Sequence, residues 1–255
     1  MKKILALILC VCLVFALSAC GSDSNEADAN SNSNSVLQPV SSENEVTKEP
    51  EINPSCQYTV YPVKVWASSI GTPWAQVIIE VLNDGNCNLY LNSISVDFEN
   101  ASGALFATQS YINAYPQIIA PGETAYYYEE VMLDNAPSSD LTALPHLDIE
   151  AATVEKIQFP ISDLSVSADA YGYIKAIGRV ENTTAEEQNL VKVAVMFYDE
   201  NNEIIGIAFT YVDIAAGDKV GFEVSGLSLP SDVTIDRIAS YTAVAYPEQY
   251  QFNFG

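Results

Sequence analysis

Apolar and polar residues alternate with a period of two along much of the C-terminal half, most regularly between residues 190 and 209. Val191, Val193, Val195 and Phe197 fall on one side of the alternation, and Lys192, Ala194, Met196 and Tyr198 on the other. β-Branched and aromatic residues at this period predict a strand whose valine–phenylalanine face turns into a core. Asp199-Glu200-Asn201-Asn202 supplies a polar turn, after which Ile205, Ile207 and Phe209 alternate with Ile204, Gly206 and Ala208. Two such runs around a polar loop predict a β-hairpin. A weaker copy of the first run lies 99 positions earlier, where Ile94, Val96 and Phe98 alternate with Ser95, Asp97 and Glu99.

The same pattern divides the foldable chain into two regions, residues 55–154 and 155–255. In the first, strands are expected at 57–66, 74–82, 89–98, from 105 onward, at 124–133 and at 147–153. Residues 137–145 have room for one helical turn at most. In the second, strands are expected at 161–168, 173–180, 190–198, 204–212, 220–226 and 235–246. Turn residues separate them and no helical period runs through either region, so the fold class is all-β, with one β-sandwich in each. The two regions also align. Val77, Ile79, Val81 and Asn83 match Ala176, Gly178, Val180 and Asn182 at the same shift of 99. Pro121-Gly122-Glu123 matches Ala216-Gly217-Asp218, and Ser139-Asp140-Leu141-Thr142 matches Ser231-Asp232-Val233-Thr234. A tandem duplication accounts for all of these.

Residues 1–19 carry a different signal. Met1-Lys2-Lys3 is positive and residues 4–17 are apolar, a run shorter than the roughly 20 residues a spanning helix needs. This is the layout of a secretory signal peptide. It ends in Leu17-Ser18-Ala19-Cys20, which resembles the lipobox of bacterial lipoproteins. The resemblance implies cleavage before Cys20, lipid attached to it, and anchorage on the extracytoplasmic face of the cell membrane. Residues 20–54 are rich in Ser, Asn and acids and contain no aromatic residue. Too little apolar surface is present to offset ordering entropy, so a flexible acidic tether is expected.

Charge narrows the partners. Lys and Arg total 10 against 33 acids, a formal net charge of -23. Nucleic acid is excluded as a partner, because its binding rests on cations that neutralise phosphates. Of the five cysteines, Cys10 and Cys12 leave with the signal peptide and Cys20 carries lipid. Cys56 and Cys87 remain, in a compartment that permits disulfides. A hairpin of strands 57–66 and 74–82 sets them at the same end, which favours a structural disulfide over two separate thiols or a metal pair lacking further ligands.

Candidate chemistry is sparse. The lone His146 finds no second histidine for a metal site or triad, and a structural or solvent-facing role is expected. Asp199-Glu200-Asn201-Asn202-Glu203 offers oxygen ligands, but Ile204 and Thr210 stand where an EF-hand needs Gly and Glu. Glu129-Glu130 and Glu186-Glu187 are neighbours on strands and face opposite ways. No catalytic residue, metal site or cofactor is assigned. Trp66, Trp74, Tyr111, Tyr115 and Tyr126-Tyr127-Tyr128 are aromatic positions near strand ends or on alternating faces. They either fill cores or, as at one side of the tyrosine triple, show a flat face to a sugar or a partner protein.

Gly178-Arg179-Val180-Glu181-Asn182, then Val195-Met196-Phe197-Tyr198-Asp199 and the later Gly217 turn, resemble the FxLYD domain of bacterial surface lipoproteins. Tyr198 and Asp199 match that family's motif, while Val195 and Phe197 replace its Phe and Leu. The first region retains only Phe98 of the motif. The resemblance implies an immunoglobulin-like sandwich and brings no catalytic residues. The expected function is therefore a membrane-anchored lipoprotein, not an enzyme, with an interaction or envelope role. Its partners would be an envelope protein or a glycan, and the alternatives are a carbohydrate- or peptidoglycan-binding module and a carboxylate-based hydrolase.

Overall fold

The computed structural model describes residues 51–250 apart from Ser228. Cys20, the expected signal peptide and the expected tether as far as residue 50 lie outside the described residues. The fold is all-β, and the described residues fall within one compact unit, Glu49–Gly255. The first half contains β1 (Cys56–Val60), β2 (Lys64–Ala67), β3 (Pro73–Asn83), β4 (Leu89–Leu91), β5 (Ile94–Asn100), β6 (Leu105–Ile112), β7 (Ala114–Tyr115), β8 (Ile118–Ile119), β9 (Thr124–Met132), β10 (Leu141–His146) and β11 (Ile149–Ala151). The second contains β12 (Ile161–Ala168), β13 (Ile174–Glu181), β14 (Gln188–Tyr198), β15 (Ile204–Ile214), β16 (Lys219–Ser225) and β17 (Ser240–Pro247), with a single 3-10 turn at Ile235–Arg237.

One strand plan is used twice. In the first half β3 pairs with β1 and β9, and β5 pairs with β10 and β6. In the second, β13 pairs with β12 and β16, and β14 with β17 and β15. The first-half core lies between β3 and β9 on one side and β4, β5 and β6 on the other. Its centre holds Val77, Ile79, Val81, Phe98, Leu89 and Tyr127, all fully buried. The second core holds Ile174, Ala176, Val180 and Val224 facing Val191, Val193, Val195 and Phe197. Phe197 has no exposed surface, and its face is the inward one.

The opposite face of β14 departs from expectation. Lys192, Ala194 and Met196 are also buried, at 5%, 0% and 5% exposure. The reason is a third packed layer: the outer face of the β3–β9–β7 sheet lies on the outer face of the β15–β14–β17 sheet. Ile78, Tyr115 and Tyr128 of the first half join the apolar cluster of the second. Tyr126 meets Tyr198 edge-on at 6.5 Å, and the Gln76 side-chain amide donates to the Ile205 carbonyl at 3.2 Å. The hairpin register explains the rest, since Met196 stands opposite Ile207, Ala194 opposite Phe209 and Lys192 opposite Tyr211. Directly opposed residues share a face, so Ile207 and Phe209 line this junction rather than the second core. The tyrosine triple is corrected likewise. Tyr127 fills the first core, Tyr128 is buried at the junction and Tyr126 is half-buried there.

Smaller differences have local causes. The first expected strand breaks into β1 and β2 because Pro62 has no N–H to donate. Residues 137–145 form no helical turn and instead lead into β10. Val233 sits in the loop before the 3-10 turn, whereas its sequence match Leu141 opens β10.

Residues 53–55, at the end of the expected tether, are docked on the first half. The Asn53 N–H donates to the Asn86 side chain at 2.8 Å, and the Gly85 N–H donates to the Ser55 carbonyl at 3.1 Å. A Cβ at Gly85 would stand 2.4 Å from the Asn53 carbonyl oxygen, so only glycine admits this approach.

Candidate functional site

Cys56 and Cys87 are free thiols, and the expected disulfide is not formed. Cys56 is held in register with Asn83 at the last pair of the β1–β3 ladder. Cys87 follows the turn at 83–86 and leads into β4, which belongs to a different sheet. Burial, with the nearby Asp84 carboxylate adding to it, pushes the Cys56 thiol pKa up, which makes it a poor nucleophile.

The remaining expected features resolve into structural roles. His146 is exposed, with Nε2 2.9 Å from Asp97 Oδ2. The Asp97 carboxyl is held below its usual pKa by hydrogen bonds from the Thr108 hydroxyl and from His146. Asp199 Oδ1 accepts the Asn201 and Glu203 N–H groups at 2.9 and 3.0 Å, which closes the hairpin turn. Among the described residues no group of three or more His, Cys, Asp or Glu is arranged to hold a metal. Glu129 stands opposite Val77 and Glu130 opposite Gln76. The first therefore lies on the core face and the second on the junction face, where the Tyr128 hydroxyl donates to it. Burial raises the Glu129 pKa. Both glutamates nevertheless border one smaller cavity of about 210 Å³, with Tyr115, Tyr128, Phe209 and Ser225.

Aromatic residues do converge, at one edge of the junction. Trp66 on β2 and Trp74 on β3 are cross-strand partners whose rings stack at 6.4 Å with a 23° tilt. The β2–β3 turn that sets their register is pinned by Ser68, whose carbonyl accepts the Gly71 N–H and whose Oγ accepts the Thr72 N–H. Gly71 has φ +83°, a left-handed value that costs glycine nothing. From the second half, the β12–β13 turn presents Tyr171 and Tyr173. Asp169 Oδ1 accepts both of their N–H groups, at 2.8 and 3.0 Å. The end of β16 adds Ser225 and Leu227, and the loop ahead of the 3-10 turn adds Pro230, Ser231 and Thr234. Ile174, Leu229 and Val233 are buried beneath.

Together these residues line a cleft of about 660 Å³. None of the side chains lining it is charged. Tyr171 is 87% exposed and stands at the rim. Clefts of ~300–1,000 Å³ at domain junctions, mainly apolar with a few polar groups, are the usual form of a ligand site.

No family model matches the chain, and no curated protein matches it. The cleft is therefore read from its own chemistry. Of the aromatic positions singled out in the sequence, only Trp66 and Trp74 reach it. Tyr111 is exposed elsewhere, and Tyr115 caps a buried ion pair. Tyr171 and Tyr173 are not among those positions, though Asp169-Ala170-Tyr171-Gly172-Tyr173 carries the signal of a tight turn bearing two tyrosines between strands.

The cleft's walls are fixed by the junction. Lys192 Nζ lies 2.7 Å from Glu248 Oε1 and 5.3–5.4 Å from the ring centroids of Tyr115, Phe209 and Tyr211. Burial works to raise the Glu248 pKa, but hydrogen bonds from Lys192 and Tyr211 outweigh it and hold the carboxyl below its usual range. Past β17 the chain returns to the first half, where the Tyr90 hydroxyl donates to the Gln249 carbonyl at 2.9 Å. Tyr246 donates in turn to the Ala114 carbonyl at 3.3 Å.

Proposed function

We propose that this protein is a lipid-anchored extracytoplasmic binding protein with no catalytic role, held on the membrane through Cys20. Its ligand occupies the cleft between Trp66, Trp74, Tyr171 and Tyr173. The observation that carries this reading is the convergence of four aromatic side chains from two halves in one uncharged cleft. The lipobox-like ending at Cys20 and the FxLYD-like region of residues 155–255 support an envelope setting. The acidic tether supports display away from the membrane surface. A carboxylate hydrolase has less in its favour, because the aromatic cleft is lined by no carboxylate. A carbohydrate- or peptidoglycan-binding role is favoured over a protein partner by the stacked indoles.

A photo-crosslinking amino acid placed at Tyr171 in cells tests the site, with Tyr58, exposed on β1, as the control position. Defined adducts at Tyr171 and none at Tyr58 are expected. Equal labelling at both positions contradicts the site. Cys20→Ala tests the anchor and is expected to release the protein or leave an uncleaved precursor. Full processing with unchanged membrane retention contradicts it.

A further inference from the structure

We infer that the cleft takes an uncharged saccharide chain. This rests on the reading of the cleft as the binding site and adds the chemistry of its occupant.

The first support is charge. The chain carries 33 acids and 10 basic residues, yet no charged side chain lines the cleft. An anionic polymer would find no cation there and would approach a protein of net charge -23 against repulsion. A basic peptide would find no carboxylate inside. An uncharged ligand gives up no ion pairing by entering.

The second support is the pairing of flat and hydroxylic surfaces. Trp66 and Trp74 form one stacked aromatic wall, and Tyr171 and Tyr173 come from the other half. The C–H faces of a pyranose ring pack on such walls, while its edge presents hydroxyls. Ser69, Ser225, Ser231 and Thr234 all line the cleft with exposed side chains. Each hydroxyl both donates and accepts, as sugar hydroxyls do. An apolar peptide could meet these groups only through its backbone amides, whereas a sugar presents hydroxyls along the whole edge of each ring. The volume of about 660 Å³ exceeds what a single sugar ring requires and lies within the ~300–1,000 Å³ range of drug-sized ligands.

The chain has two tryptophans, and both line the cleft. Tryptophan emission of the full-length protein in detergent micelles therefore reports on this site alone. The titrants are maltohexaose, cellohexaose and chitohexaose as uncharged chains, oligogalacturonate as an anionic one, and a Leu- and Phe-rich peptide. A saturable emission change with at least one uncharged chain is expected, insensitive to salt because no charges are involved. Tyr171→Ala retains both reporters and removes a rim side chain, and is expected to weaken binding about tenfold, the value of one stacked ring. Binding of oligogalacturonate alone, or of the peptide alone, overturns the uncharged-saccharide assignment but leaves the cleft as the site. No emission change with any titrant overturns both. Saccharide binding unaltered by Tyr171→Ala also overturns the assignment, because the rim then takes no part.

Discussion

Asn83 and Asn182, 99 positions apart and both without exposed surface, build the same turn in the two halves. The Asn83 amide donates to the carbonyls of Cys87 and Ile119 at 2.9 and 3.0 Å. The Asn182 amide donates to those of Glu186 and Ile214 at 2.7 and 3.1 Å. Each side-chain oxygen accepts an N–H two residues on, from Gly85 and from Thr184. Each main-chain N–H reaches an equivalent acid, Glu123 or Asp218, through its carbonyl. A buried asparagine thus ties the end of one strand to the loop across the sandwich, twice.

Asn83→Ala and Asn182→Ala are each expected to destabilise the protein by about 1–3 kcal/mol, since each strands buried carbonyls without a donor. Denaturant titration measures this through the shift in midpoint at constant slope. Midpoints equal to wild type would remove the two asparagines from the account.

Phe197 and Tyr198 separate the two faces of β14. Phe197→Ala is expected to cost about 3–5 kcal/mol, through lost transfer energy and the cavity left in the second core. Tyr198→Ala removes a half-buried ring whose main contacts are an edge-on meeting with Tyr126 and a 3.3 Å hydrogen bond to Thr242. It is expected to cost less, about 1–2 kcal/mol. Thermal unfolding of the full chain measures both, and the reverse order contradicts the assigned faces.

The Lys192–Glu248 pair is asymmetric. The lysine side chain is 6% exposed and the glutamate 27%. Glu248→Gln leaves an ammonium buried among three aromatic rings and is expected to cost about 3–5 kcal/mol, as breaking a buried pair does. Lys192→Met retains the stem and is expected to cost less, because Glu248 keeps water and the Tyr211 hydroxyl. The folded Glu248 carboxyl titrates below its unfolded value of about 4.3. Its contribution is therefore full above that pH and is lost as pH falls through the lower folded value. Stability measured from neutral to acid pH is expected to fall less steeply over this window in Glu248→Gln than in wild type. Identical slopes would contradict the linkage.

Much of this was legible in the alternation of residues. The period of two placed Phe197 and Phe98 in their cores, and the shift of 99 matched Asn83 with Asn182. The junction was not legible, because a strand buried on both faces needs no alternation. Lys192 falls on the side of β14 opposite the expected core face, and its partners Tyr115 and Glu248 are far away in sequence and meet it only after folding. The same limit applies to the cleft. Trp66 and Trp74 stood out by type, but their alignment with Tyr171 and Tyr173 depends on how one sandwich lies on the other. Cys56 and Cys87 flank the turn at 83–86, which packs on residues 53–55, and both are free thiols.

The central claim is that the two sandwiches are one body whose shared junction creates the cleft. Differential scanning calorimetry of the full-length protein, with Ala194→Arg beside it, tests this most directly. Ala194 is fully buried on the junction face of β14, opposite Phe209 and Val244, and would be a surface position if the halves stood apart. One unfolding transition is expected for wild type, with calorimetric and van't Hoff enthalpies in agreement. Ala194→Arg is expected to lower and split it. Two independent transitions in wild type, unmoved by Ala194→Arg, would contradict the account.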